Sequence, residues 1–365
     1  MTHVLLSLIA LCGVSGSLAV LLLVAESYFS DYGECEILVN NEKSIKVQGG
    51  ASLLTTLAEQ KLFLPSACGG RGSCGVCKCI VKEGAGPVLP TEMPYLTDQD
   101  HKLSVRLSCQ VKVKQNIKIQ VPEELLSVRD YQTVVEKITP LTHDIRGLRF
   151  RLPEGETVKI KAGQYMNLVA PPYGEIGTAT ARAYSIASAP SDNRAIELIV
   201  RLVPNGIVTT YVFQHLKENN TIKLIGPFGD FFLRDSDREI VFIAGGSGLA
   251  PIRSIVLDMI EKGIKHRKAT FFFGAVRTKD VYYVEEFAKI QAEHPWFSFV
   301  PALSGPETDH SYERGLITAV VDRHYPDFKN HEAYLCGSPG MIDACVKVLT
   351  AKGMPDSMVF YDKFS

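Results

Sequence analysis

The stretch SACGGRGSCGVCKC, Ser66 to Cys79, packs four cysteines and four glycines into fourteen residues. Cys68, Cys74 and Cys77 are spaced C-x5-C-x2-C, and Cys109 stands further along the chain. A cluster of two irons takes four soft thiolates from a closely wrapped loop, and the plant-type spacing C-x4-C-x2-C…C is one residue shorter in its first gap. Gly69, Gly70, Gly72 and Gly75 permit tight turns. They also let backbone N–H groups reach the sulfurs, where hydrogen bonds tune the potential. Zinc also accepts four thiolates, but its sites usually pair two close knuckles, and Cys109 has no cysteine beside it. The spacing favours a [2Fe–2S] cluster held by Cys68, Cys74, Cys77 and Cys109. Cys79 reads as a buried strand thiol outside that set, and Cys12 and Cys35 carry no assigned role.

The rest of the chain sets the context. It has 365 residues, with 46% hydrophobic and 22% charged side chains, a composition that suits two or three globular domains. Net charge is −1, which offers no electrostatic footprint for nucleic acid. Nine cysteines with one dense group do not form an even disulfide framework and point to a metal site in a reducing compartment. Near the N-terminus, Val4 to Ala25 carries no charge. As a helix it would be roughly 33 Å long, about a bilayer's hydrocarbon thickness. A cleaved signal peptide is the rival reading. The absence of a leading Lys or Arg and the length of the apolar run favour an uncleaved anchor.

Four segments follow this anchor (1–33). CEILVNNEKSIKV reads as a hairpin around Asn40-Asn41, SLLTTLAEQ as a helix, and RLSCQVKV and IKIQV as strands. Together they predict a small α+β domain over 34–121. PEELLSVRDYQ supplies a linker, 122–131. Short β-rich runs separated by turns predict an antiparallel barrel over 132–234. From EIVFIA onward, apolar strands alternate with helical patterns, which predicts an α/β parallel sheet over 235–365.

Two further motifs carry chemistry. In RAYSIAS, Arg182 and Tyr184 share one face of a strand. A guanidinium beside an aromatic ring suits the phosphate and flat ring of a single ligand. Downstream, Gly206 and Thr209 precede a helix of the kind whose N-terminus receives a pyrophosphate. GGSGLAP, Gly245 to Pro251, is a strand–turn–helix phosphate cradle with Pro251 suited to a first helical turn. YLCGSPG gives a second such junction, where Cys336 either touches a nicotinamide or packs as a buried thiol.

These motifs, in this order, resemble the ferredoxin–NADP reductase superfamily fused to a ferredoxin domain, over nearly all of residues 34 to 365. Two groups within it are similar to this chain. One comprises the F subunits of sodium-translocating NADH:quinone reductases, through the apolar N-terminus, the C-x5-C-x2-C loop, PEELL and the ending YDKFS. The other is the reductase component of multicomponent monooxygenases such as phenol hydroxylase. The stretch PPYGEIGTATA before RAYS is shorter than in the better-known F-subunit pattern. The resemblance implies a ferredoxin-like β-grasp domain, an FAD-binding barrel and an NAD-binding domain, with NADH as substrate. Arg182 would hold the flavin pyrophosphate, Tyr184 would flank the isoalloxazine, Ser185 would bond near N5, and Phe364 would cover the ring. Gly206 and Thr209 would face the flavin pyrophosphate. Gly245, Gly246, Gly248 and Pro251 would admit that of NADH, with Cys336 and Gly337 near the nicotinamide. Ser185, Cys336 and Phe364 would be the catalytic set. NADH enters on resemblance, since the strand ATFFFG offers no acid for a ribose and Arg277 follows it. The implied order is NADH to FAD to [2Fe–2S]. The implied setting is a bacterial inner membrane, with soluble domains in the cytoplasm, integral-membrane redox partners, quinone as eventual acceptor and possible sodium transport. The rival functions are electron delivery to an oxygenase and a non-enzymatic metal-binding role.

Overall fold

The computed structural model describes residues 11–21, 32–306 and 311–364. Of the apolar N-terminal segment, residues 11–21 are helical (α1) and expose Leu11, Val14, Leu18 and Leu21. The rest of that segment lies outside the described residues. Among the described residues no helix is long and apolar enough to cross a membrane. The chain divides into two compact units, Met1–Ser66 with Gly70–Ser127 and Val128–Ser365 with Ala67–Gly69.

The first unit is a mixed five-stranded sheet with one main helix. Its elements are β1 (Glu34–Val39), β2 (Lys43–Gln48), α2 (Leu53–Glu59), β3 (Lys78–Glu83), α3 (Asp98–Lys102), β4 (Val105–Leu107), β5 (Ile117–Gln120) and α4 (Glu123–Leu126). The strand order is β2-β1-β5-β3-β4. Alternation sets the faces: Cys35, Ile37 and Val39 point into the core while Glu34 and Glu36 point out. The predicted hairpin turns at Asn40 and Asn41, both at positive φ, a conformation asparagine tolerates better than most residues. Helix α2 is capped by Ser52, whose hydroxyl accepts the Thr55 N–H at 3.2 Å, and it buries Leu53, Thr56 and Leu57. The expected strand RLSCQVKV ends early. Beyond Leu107 the Ser108 N–H donates to the Cys77 carbonyl, and the N–H groups of Gln110 and Val111 both turn back to Leu107. A turn therefore replaces the ladder.

In the second unit, β6 (Arg129–Pro140) begins inside the stretch read as a linker. With it, β7 (Ile145–Arg151), β8 (Tyr165–Ala170), β9 (Thr180–Ser185), β10 (Ala195–Arg201) and β11 (Thr221–Phe228) form an antiparallel sheet ordered β10-β7-β6-β11-β8-β9. The sheet closes toward a barrel where Ile186 bridges Leu198 and the Ala187 N–H donates to the Glu197 carbonyl at 2.7 Å. Helix α5 (Ile207–Gln214) packs Val208, Tyr211 and Val212 into its core.

The remaining strands are β12 (Glu239–Gly245), β13 (Ala269–Ala275), β14 (Phe297–Leu303), β15 (Glu313–Arg314), β16 (His331–Gly337) and β17 (Val359–Lys363). They form a parallel sheet ordered β15-β14-β13-β12-β16-β17. Such a sheet is covered on both faces, so its strands read as continuous apolar runs, and β16 is buried along its whole length. Helices α6 (Leu249–Glu261) and α7 (Val284–Glu293) share one core, and α8 (Ile317–His324) and α9 (Pro339–Ala351) share another.

Candidate active site

The cysteine loop closes through its glycines. Gly69, Gly70, Gly72 and Gly75 all adopt positive φ. At Gly75 a side chain is excluded twice, because a Cβ would also come within 2.6 Å of the Tyr95 ring. Cys77 is buried on the strand side of the loop, and its thiol points at Cys109 Sγ from 3.3 Å. The turn after β4 sets that approach. Cys109 also receives the Gln110 amide at 3.5 Å and a bond from the Gly72 N–H. Donation from Cys77, then from Gln110 and Gly72, pulls the Cys109 thiol below its ordinary value against the effect of burial. Cys68 is buried and Cys74 half-buried. Among the described residues no three potential ligands converge on one point; the closest approach in the set is that of Cys77 and Cys109. Cys79 points instead into the apolar core with Cys35, and burial pushes its thiol up to about 12.

The loop leans on a buried ion pair. Glu92 and Arg106 are 0% and 4% exposed. The Glu92 carboxylate accepts from Arg106 Nη2 at 2.6 Å and from the N–H groups of Leu89 and Leu107. Arg106 spends its remaining donors on the carbonyls of Gly86 and Pro87. Burial alone would raise the Glu92 carboxyl, but these bonds outweigh it and the group lies below its usual value. The pair fixes β4 immediately before the Cys109 turn.

In the second unit, Arg182, Tyr184 and Ser185 lie on β9. Tyr184 is partly buried against the barrel core, and burial raises its phenol. Gly206 is the N-cap of α5, with no side chain capping it. Thr209 is buried, and its hydroxyl lies 3.2 Å from the carbonyls of Val203 and Gly206. It thus braces the turn that presents the helix start.

The glycine turn after β12 runs Gly245–Gly248 and leads into α6, with Pro251 buried in its first turn. Gly246 has φ +57°, and its carbonyl accepts the Tyr282 hydroxyl at 2.7 Å. Gly248 must be glycine for contact reasons, since a Cβ there would lie 2.2 Å from the Cys336 carbonyl oxygen. The turn is therefore pressed against the end of β16. Cys336 is fully buried, and burial holds its thiol well above the ordinary range. Gly337 accepts the Phe364 N–H at 2.9 Å, which brings the C-terminal aromatic to the same edge.

Two residues at this edge went unread in the sequence. Asp362 pairs with Cys336 across β16 and β17, and its carboxylate accepts the Ser185 hydroxyl. Burial, with the nearby charge of Asp230, pushes its carboxyl up to about 6, while Ser185 pulls the other way. The only sequence signal was an acid in the closing strand YDKFS. Arg201 ends β10, held by Asp144 at 2.8 Å, and its Nη1 lies 3.4 Å from where a Gly246 side chain would begin. Its signal was the arginine that closes the run AIELIVR. Ser185, Asp362, Cys336 and Phe364 thus meet at one edge, with the glycine turn beside them and Arg201 at its rim.

Three domain families match in the order of these sites: a 2Fe-2S iron-sulfur cluster binding domain over residues 37–114, an oxidoreductase FAD-binding domain over 132–233 and an oxidoreductase NAD-binding domain over 242–347. The chain is 36% identical to the F subunit of the Na(+)-translocating NADH-quinone reductase of Neisseria gonorrhoeae, covering 95% of this chain and 96% of the relative. The chain belongs to the F-subunit family of Na(+)-translocating NADH-quinone reductases. The corresponding F subunit of Methylococcus capsulatus is 35% identical over the full length of both chains, in an alignment of 408 positions, so that relative carries residues this chain lacks. Among solved structures, an Amycolatopsis cytochrome P450 reductase, GcoB, superposes with a TM-score of 0.74 at 28% identity, covering 90% of this chain and 98% of that one.

As a member of this family, the chain is an NADH-dependent flavin and iron–sulfur oxidoreductase, with electrons passing from NADH to FAD to [2Fe–2S]. The residues present fit those groups: a glycine-lined thiol loop, a strand carrying Arg182 and Tyr184, and a turn whose glycines bring backbone rather than side chains to the cradle. Bound FAD supplies the exchange between two-electron and one-electron transfer.

Proposed function

We propose that this chain is the membrane-anchored electron-input component of a quinone-reducing complex, with sodium translocation as the coupled process. The observation that carries this reading is the near-full-length match to F-subunit relatives from end to end of the chain. The uncharged run Val4 to Ala25 supports it as a single transmembrane helix in a bacterial inner membrane, with the domains over 34–121, 132–234 and 235–365 on the cytoplasmic side where NADH is supplied. Integral-membrane redox subunits are the partners and quinone the eventual acceptor.

On this reading Cys68, Cys74, Cys77 and Cys109 hold the cluster. Arg182 binds the flavin pyrophosphate with the α5 start at Gly206, which Thr209 braces, while Tyr184 flanks the ring and Phe364 covers it. Gly245, Gly246, Gly248 and Pro251 shape the NADH pyrophosphate cradle, and Arg201 offers it a guanidinium from the flavin side. Cys336 and Gly337 line the nicotinamide end, and Ser185 and Asp362 bond near the flavin's reacting edge.

Detergent purification of the full-length protein from its native membrane, with NADH:quinone activity measured with and without sodium, tests the assignment. Integral-membrane partners and sodium-stimulated quinone reduction are the expected result. The likeness to a cytochrome P450 reductase favours one second reading, electron delivery to an oxygenase. A soluble oxygenase partner, with activity surviving removal of residues 1–33, would establish that reading instead.

A further inference from the structure

RAYSIAS and GGSGLAPIRS are joined by contacts that neither ligand reading uses. Arg253, one turn beyond the glycine cradle on α6, directs Nη1 to the Ala187 carbonyl at 2.8 Å and to Glu197 Oε2 at 3.2 Å. Its Nε donates to Glu286 Oε1 on α7 at 2.7 Å. Its guanidinium lies over the Tyr283 ring, 4.8 Å from the centroid. Tyr283 in turn donates its hydroxyl to Glu197 Oε1 at 2.7 Å. It does so from a left-handed backbone, φ +58°, a conformation a bulky residue adopts only when its surroundings hold it there. Next to Arg253, the Ser254 hydroxyl donates to the Ser188 carbonyl at 2.7 Å, and Ser188 Oγ accepts the Glu197 N–H at 3.1 Å.

Ala187 and Ser188 end the segment that carries Ser185. Arg253 and Ser254 lie on the helix that the Gly245–Gly248 turn begins. One latch therefore ties the strand that presents the flavin side to the helix that presents the nucleotide side. The Arg253 side chain is 13% exposed and shared between two carboxylates. An apolar contact would hold these elements together but would tolerate sliding. A planar guanidinium with fixed donor directions sets both distance and angle. Transfer between two bound groups is steep in geometry: a displacement of about 1 Å costs on the order of 100-fold in rate.

We propose that Arg253 is a positioning residue for hydride transfer, fixing the nucleotide cradle relative to the Ser185 strand through Ala187, Glu197, Glu286 and Tyr283. Arg253 touches neither nucleotide nor flavin in this scheme. The proposal rests on the NADH-to-flavin step and is tested on that step alone, so its failure is distinguishable from failure of the membrane reading.

The test is single-turnover reduction of the full-length protein's flavin by NADH in Arg253→Lys and Arg253→Gln. The expected result is a fall of tenfold or more in the reduction rate, with FAD content unchanged and ADP-ribose affinity within twofold. The deuterium isotope effect with NADH labelled at the transferred position should rise, and the long-wavelength charge-transfer absorbance should weaken. In flavin-free protein, amide exchange at the 197 and 254 segments should accelerate. Should both Arg253 variants fold poorly, Tyr283→Phe removes one hydroxyl from the latch, and a fall in rate at unchanged melting temperature is expected. FAD-replete Arg253 variants that reduce within twofold of wild type would overturn the proposal. So would a Tyr283→Phe variant with the wild-type rate and isotope effect.

Discussion

At Asp362 burial and the charge of Asp230 outweigh the hydrogen bond from Ser185. The unfolded chain releases this proton near the usual aspartate value, about 3.9, whereas the folded protein keeps it to about 6 because of burial and Asp230. Between those two values the native state binds the extra proton, so stability falls as pH rises from about 4 to about 6. The loss is up to about 3 kcal/mol, in full above that window. Asp362→Asn removes the penalty. The variant should melt higher than wild type at pH 7 to 8, and the gap should close by pH 4, as denaturant or thermal unfolding across pH would show. An inflection near pH 6 in flavin reduction by NADH should disappear in the same variant. Its persistence would exclude Asp362 as the titrating group. The cysteines separate on equally local grounds. Cys79 is a core thiol while Cys74 sits half-exposed in the glycine loop. Cys79→Ala should keep the cluster's visible absorbance and paramagnetic signal. Cys74→Ala should lose both, keep FAD, and fail to pass electrons to the natural acceptor.

At the scale of elements, turns decide the sites. Gly248→Ala puts a methyl group 2.2 Å from a backbone oxygen that closes the end of β16, so either the turn or the strand must move. NADH-driven flavin reduction should drop tenfold or more while FAD stays bound, which titration with FAD and single-turnover kinetics would separate. The buried Glu92–Arg106 pair makes a sharper stability prediction. Removing one partner leaves an uncompensated charge, at about 3–5 kcal/mol. Arg106→Met should therefore lower the unfolding transition of the first unit. The paired change Glu92→Leu with Arg106→Met should recover only part of that loss, because it removes the buried charges but leaves the Leu89 and Leu107 N–H groups and the Gly86 and Pro87 carbonyls without their partners. What was legible in the sequence follows the same division. Cysteine spacing, RAYS and the glycine turn are local strings, and local strings show in a sequence. Strand RLSCQVKV was misread past Leu107 because its alternation continues while its backbone donors turn toward Cys77 and Leu107. Asp362 and Arg253 were missed because their partners lie far along the chain, brought near by the edge position of β17 and by the packing of α6 on the barrel. No periodicity encodes either contact.

For the whole molecule, the main division falls at Ser127–Val128, with Ala67–Gly69 of the cysteine loop grouped with the later residues. All residues that face NADH or flavin on the present reading lie beyond it, and the barrel and parallel sheet there share the Arg253 latch. Their union also includes the buried Arg267–Glu332 pair. Arg267 binds the Arg234 and Arg238 carbonyls of the segment joining barrel to sheet, and the Tyr334 hydroxyl accepts the Arg234 N–H at 2.7 Å. With its linker pinned in this way and its cores complete, a protein beginning at Val128 should fold without the ferredoxin unit. It should bind FAD and reduce ferricyanide with NADH at a kcat/KM within about threefold of the full-length protein, while losing reduction of the natural acceptor altogether. The contrast is specific to the proposed electron order. If the cluster lay between NADH and flavin, the truncated protein would lose both reactions together. If the flavin passed electrons to the acceptor directly, it would lose neither. Stopped-flow reduction of FAD beside steady-state assays with the two acceptors distinguishes all three outcomes.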